Sequence, residues 1–130
     1  MNYHQRGQVF LLKKKWNKEI WIASKIGVQE DDYSNDIAIY DIPKKYEMNV
    51  QPISSSTDIQ EFGENAKQVQ KAVIEYDKYF GVFKEFDIAY LDGASPENED
   101  INGQNANYRL YPPRNQNKCI ILYFERLTGK

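Results

Sequence analysis

The sequence predicts a mainly β chain: a small antiparallel β-barrel or sandwich with one short helical turn and long loops. Three observations predict it. Short β-prone apolar runs recur along the chain, turn-forming Gly, Pro, Asn and Asp separate them, and helical periodicity is scant. With 130 residues and no Pro/Ser-rich linker, the chain reads as one domain, residues 1–130. A domain of this size buries roughly two thirds of the surface its unfolded chain exposes, enough to fold without a disulfide or a metal.

The first segment, "GQVFLLKKKWNKEIWIASKI", holds two apolar β-prone runs, residues 9–12 and 20–22, around the charged "KKKWNKE". It reads as a hairpin turning near Trp16 and Lys18. The acidic stretch of residues 27–36 reads as a solvated loop, and "IAIYDI" as a short edge strand ended by Pro43. In "YEMNVQPI" Tyr46, Met48 and Val50 alternate on one face until Pro52 stops the run.

Residues 54–76 are where helix and strand compete. Thr57 and Gln60 have capping-box spacing, Asp58 falls in the first turn, and Gly63 is a natural stop. Ile59, Phe62, Ala66, Val69 and Val73 also form one longer helical stripe, but Gly63 in its middle costs about 1 kcal/mol relative to Ala. The reading adopted is a helical turn over residues 57–62 and a strand over 69–76. Further on, "VFKEFDIAYL" and "ANYRLY" read as strands around a turn-rich loop. "PPRNQNK" reads as a turn, and "CIILYFERL" as the most apolar strand. Cys119, the only cysteine, opens that last strand, so the expectation is a buried structural thiol.

Charge limits the function classes. Lys and Arg number 17 against 19 Asp and Glu, a net charge of −2, so the chain lacks the basic surface of a general nucleic-acid binder. Ten Tyr, six Phe and two Trp suit strands and wet interfaces, since Tyr and Trp join an apolar body to a polar tip. The opening "MNYHQRGQVF" lacks a signal-peptide core and no segment is apolar for the roughly 20 residues of a membrane span, so an intracellular or virion setting and no membrane partner are expected.

Catalytic and metal chemistry find little support. His4 is the only histidine, so a Ser–His or Cys–His pair would depend on it, and one His with one Cys cannot make a zinc site. No Gly-rich phosphate loop occurs. The acidic clusters "QEDDYSND" and "ASPENEDINGQN" lack the ligand alternation of a calcium loop and read as solvated surface. No cofactor and no enzymatic activity are therefore expected. Lys13, Lys14 and Lys15 beside Trp16 could grip phosphates with an aromatic stacked on a base. Strand alternation splits those lysines between two faces, so the plainer reading is a solubilised hairpin tip.

Three stretches in order, "NVQPISSSTDIQEFGENAKQVQKAVI", "FKEFDIAYLDGASPENEDINGQNANYRL" and "NKCIILYFERL", resemble the head-closure (stopper) or head–tail connector proteins of long-tailed bacteriophages. The resemblance covers most of residues 49–127 and rests on the order of Gln51-Pro52, residues 58–63, 87–93 and 105–108. It implies a barrel subunit of the virion neck, made in the host cytoplasm. Such a subunit is a ring oligomer in the virion and is able to be monomeric when free. Its partners are the portal or connector above, a tail-completion or tail protein below, and packaged double-stranded DNA in the channel. On that reading the channel is faced either by residues 27–36, with Glu30, Asp31 and Asp32, or by residues 54–64, with Ser54, Ser55 and Ser56. Contacts between subunits or rings fall to Trp16, Asn102, Gln104, Asn105, Asn107 and Tyr108. The competing readings are a barrel that binds single-stranded nucleic acid through Trp16, Trp21 and the lysines, a neighbouring adaptor or tail-completion protein, and an enzyme of another type.

Overall fold

The computed structural model describes residues 17–96 and 102–128. Along the chain run β1 (Lys18–Ala23), β2 (Lys25–Glu30), β3 (Asp36–Tyr40), β4 (Lys44–Met48), β5 (Val50–Pro52) and helix α1 (Ser56–Phe62). A 3-10 turn (Gly63–Gln68), β6 (Val69–Glu75), the one-turn helix α2 (Tyr76–Tyr79), β7 (Ile88–Tyr90), β8 (Tyr108–Leu110), β9 (Arg114–Gln116) and β10 (Cys119–Arg126) follow.

Every pairing is antiparallel, and the strands of the main sheet are ordered β4-β1-β7-β8-β10-β6-β5, with β9 added on β10. The two ends of that order, β4 and β5, are consecutive in the chain with only Asn49 between them. One stretch therefore pairs first with β1 and then with β6, and this changeover curls the sheet into a nearly closed barrel. The mainly β, barrel-like fold expected from the sequence is the fold observed.

Period-2 alternation fills the interior: Ile20 and Ile22, Ala72 and Ile74, and Ile120, Leu122 and Phe124 point into one core. Each such aliphatic or aromatic side chain contributes roughly 1.5–3 kcal/mol by leaving water. The residues between them on β1 and β7 face outward. There Ala23, Ile88 and Tyr90 join Ala106 in a second cluster, with Trp21 and Tyr40 packed on it. Helix α1 starts and stops as short helices do. Ser55, the N-cap, accepts from the Asp58 amide through its side chain, and Gly63 at φ +56° ends it.

Several expectations change. The cap is Ser55, not Thr57, because the helix starts one residue earlier and Asp58 takes the third helical position. Residues 27–36 are not a plain loop: they lie in the β2–β3 ribbon and its turn, a pairing separate from the barrel. A hairpin joining residues 9–12 to Ile20–Ile22 finds no free edge at Trp21 and Ile22, which pair with β4 on one side and β7 on the other. The first arm of that hairpin lies outside the described residues. The "VFKEFDIAYL" strand shrinks to β7, because the Asp87 carboxylate accepts from the Lys84 amide at 2.9 Å and winds the preceding residues into a turn. "PPRNQNK" contains β9, and Cys119 is half-buried, not buried. Among the described residues, no helix is long and apolar enough to cross a membrane.

Candidate functional site

The β2–β3 ribbon is the most distinctive surface. Its base is pinned firmly. Asp87 is almost wholly buried and accepts from the Lys25 amide at 3.0 Å through its second oxygen. Asn102 accepts from the Tyr40 amide at 2.9 Å and donates to the Ala38 carbonyl, so its side chain acts as a short rung on the edge of β3. Gly103, at φ +77°, lies so close to Ile88 and Tyr40 that a Cβ would overlap Ile88 Cδ1. Burial drives the Asp87 carboxyl above its ordinary range, against the pull of its two backbone donors.

Beyond the base, little among the described residues covers the ribbon. Ile26 is 62 % exposed, Val28 and Ile37 are also exposed, Ile42 at the base is 78 % exposed, and Tyr33 at the tip 85 %. Register puts Val28 opposite Ala38 and Ile37 opposite Gln29, so each face of the ribbon presents a β-branched residue to solvent. At the tip Asp31 accepts from the Tyr33 and Asn35 amides at 2.9 and 2.8 Å, and the Asn35 amide holds its carboxyl below the ordinary value. Glu30 stands directly opposite Asp36, a like-charge pair that works against the ribbon's own stability. Glu30, Asp31, Asp32 and Asp36 are thus gathered on one projecting end. Folding alone does not account for an acidic tip on an arm with apolar faces.

The remaining expected site residues divide. Ser54 lines a groove beside β4 and β6, Ser55 serves as the helix cap, and Ser56 is the first helical residue. Asn107 grips the Leu91 amide and carbonyl at 2.9 and 2.8 Å. Tyr108 is buried, donates to Asp92 at 2.8 Å and accepts from Gln70 at 2.9 Å. Asn102, Asn107 and Tyr108 therefore spend polar groups within the chain, and Asn102, Gln104 and Asn105 lie at the surface. Trp16 lies outside the described residues. Trp21, the other aromatic considered for base stacking, is half-buried on the second cluster, with Lys45 Nζ 5.5 Å from its ring centroid.

Sequence reasoning missed Ile26, Val28, Tyr33 and Ile37, since no signal separates exposed ribbon residues from core ones before the pairing is known. It also missed a polar cluster under α1. Asp58 Oδ2 lies 3.0 Å from Lys71 Nζ, Arg114 pairs with Glu61, and the Arg114 guanidinium stacks 4.7 Å from the Tyr123 ring centroid. Burial raises the Asp58 carboxyl, but donors from Tyr123, Lys71 and Ser55 outweigh it and hold it below the ordinary value. Burial and the bond to Asp58 push the Tyr123 hydroxyl up to about 12. These groups satisfy one another and leave α1 fastened to the barrel. Among the described residues, no three His, Cys, Asp or Glu side chains gather as metal ligands.

No protein-family model matches the chain, and no curated protein matches it. The fold is similar to the solution structure of protein SF1141 from Shigella flexneri 2a, with a TM-score of 0.52 at 13% identity, over 86% of this chain and 93% of that one. At that identity the likeness concerns the fold alone.

Proposed function

We propose that the protein is a structural subunit of a bacteriophage neck, a head-closure component that assembles as a ring between portal and tail and retains packaged DNA. The observation that carries the reading is the β2–β3 ribbon: an arm pinned at its base, apolar on both faces and acidic at its tip. In a ring the apolar faces would be covered by neighbouring subunits. The tips, with Glu30, Asp31 and Asp32, would converge where DNA phosphates are repelled and not held. Of the two channel-facing alternatives, this favours residues 27–36 over residues 54–64, since Ser55 is already committed to capping α1. The sequence stretches that resemble head-closure proteins support the same reading. So does the small barrel, which offers a rigid base for such an arm.

The reading is tested by electron microscopy of lysates from a phage deleted for this gene. The expected result is emptied heads beside complete, unattached tails. DNA-filled heads beside free tails would replace closure by a later joining or adaptor step. Normal infectious particles would overturn a role in the neck.

A further inference from the structure

The β2–β3 ribbon has one closed edge and one open edge. In an antiparallel pair, opposite residues alternately bond to each other and turn their backbone groups outward. On β3 the Tyr40 amide and the Ala38 carbonyl turn outward, and the Asn102 side chain takes both. On β2 the Lys25 amide turns outward to the Asp87 carboxylate. Past the bulge between Lys25 and Gly27, Val28 stands opposite Ala38 and Glu30 opposite Asp36. Val28 and Glu30 therefore aim their amides and carbonyls away from β3. They do so along an edge that has no strand partner among the described residues. Both residues are exposed. Such an edge is a template for another strand.

We propose that the open edge of β2 pairs with the same edge of a second copy, as an antiparallel dimer with its two-fold axis at Val28. Three observations select this occupant. First, the strand is complementary to itself when reversed. It starts at Lys25 and ends at Glu30 and Asp31, so a two-fold at Val28 carries the lysine of each copy to the level of the other's carboxylates. Strands running the same way would instead set the two acidic tips side by side, a like-charge cost. Secondly, the charges are available. Lys25 Nζ lies over the Phe86 ring, 5.4 Å from its centroid. Among the described residues, neither Lys25 nor Glu30 enters an ion pair. Glu30 faces Asp36 within its own ribbon, and a lysine from the second copy offsets that repulsion. Thirdly, Val28 is 57 % exposed at the middle of the edge. On the axis it covers its own counterpart, a β-branched cross-strand pair. The inference goes beyond the neck reading and does not depend on it. It describes the free chain, because a two-fold pair is closed and cannot itself grow into a ring.

The test is sedimentation equilibrium of the full chain, joined to oxidation of single-cysteine variants made in a Cys119→Ser background. A strand edge this short makes a small contact, so the expected result is a monomer–dimer equilibrium with a dissociation constant between about 10 μM and 1 mM. High salt should weaken it by screening the Lys25 and Asp31 charges. Val28→Pro removes an amide that β3 does not use. It deletes one bond from each copy and should weaken pairing by about tenfold or more. Val28→Cys should oxidise to a linked dimer. Gln29→Cys, on the other face of the strand and away from the axis, should not. The cysteine pair reads the register whether or not proline fits the strand. A monomer at every concentration up to about 1 mM would overturn the proposal. So would undiminished pairing of Val28→Pro, or Gln29→Cys linking as readily as Val28→Cys. Assemblies larger than a dimer would also overturn it and give the edge to a head-to-tail contact.

Discussion

The Tyr123 hydroxyl donates to Asp58 Oδ1 at 2.7 Å, across 65 residues of chain. It joins the first turn of α1 to the middle of β10, where Phe62 from the end of the same helix packs with its ring centroid 5.0 Å from that of Tyr123. A buried carboxylate needs its donors, and hydrogen bonds to charged groups contribute about 1.5–3 kcal/mol each. Tyr123→Phe is therefore expected to lower stability by about 2 kcal/mol while keeping the ring packing. In the Asp58→Ala background the same change should cost much less. Urea unfolding of the single and double variants measures the coupling, and full additivity would mean the bond contributes nothing.

Two buried carboxylates titrate on opposite sides of their shared ordinary value of 3.8. Asp58 is lowered, so its contribution to stability is present above pH 3.8 and is lost as pH falls through its folded-state value. Asp87 is raised, so its contribution is fully present below pH 3.8 and is lost as pH rises through its folded-state value. Carboxyl-detected NMR titration should find Asp87 protonating first on acidification and Asp58 last. The reverse order would contradict the burial and donor arrangement described above.

Gly103 combines a positive φ of +77° with a 2.1 Å separation between an added Cβ and Ile88 Cδ1. Gly103→Ala should cost about 2–3 kcal/mol, part from left-handed backbone and part from the overlap. Adding Ile88→Val removes the overlapping atom and should recover only the second part. Unfolding free energies of the three variants decide this, and a full recovery would mean the backbone contributes no strain.

Cys119 pairs across the strands with Glu75. Because it is half-buried, Cys119→Asp should act mainly by placing two carboxylates opposite each other, at a cost of about 1 kcal/mol. The loss should shrink in high salt, which screens exposed charges. A larger, salt-independent loss in thermal denaturation would instead signal burial.

The core was legible because alternation survives wherever one strand face meets the interior: β1, β6 and β10 all carry it. Helix α1 was legible because Gly63 and the polar start at Ser55 to Asp58 act locally. Strand β2 was not, since a ribbon standing off the barrel has no buried face to impose alternation, and its Gly27 and acidic end imitate a loop. Strand β9, "RNQ", is wholly exposed and exists through its pairing with β10. The internal roles of Asn102 and Asn107 were invisible for a different reason. Each side chain bonds to backbone brought close only by the completed fold, 62 and 16 residues away respectively. In the candidate site, the acidic tip was legible as charge, whereas its mounting on an apolar-faced arm was not.

Strand β10 pairs with β6 along one edge and with β8 and β9 along the other. A growing polypeptide that has not reached Arg126 therefore has no template on which these three strands can meet. Domains fold as units during synthesis, so this one acquires its barrel late and all at once, with no stable half-built form. Any nascent fragment ending before β10 would leave the inward faces of β6 and β8 open to water. Quality-control machinery could recognise it by that exposed surface. Interrupted synthesis would then yield chains open to degradation before any of them folds.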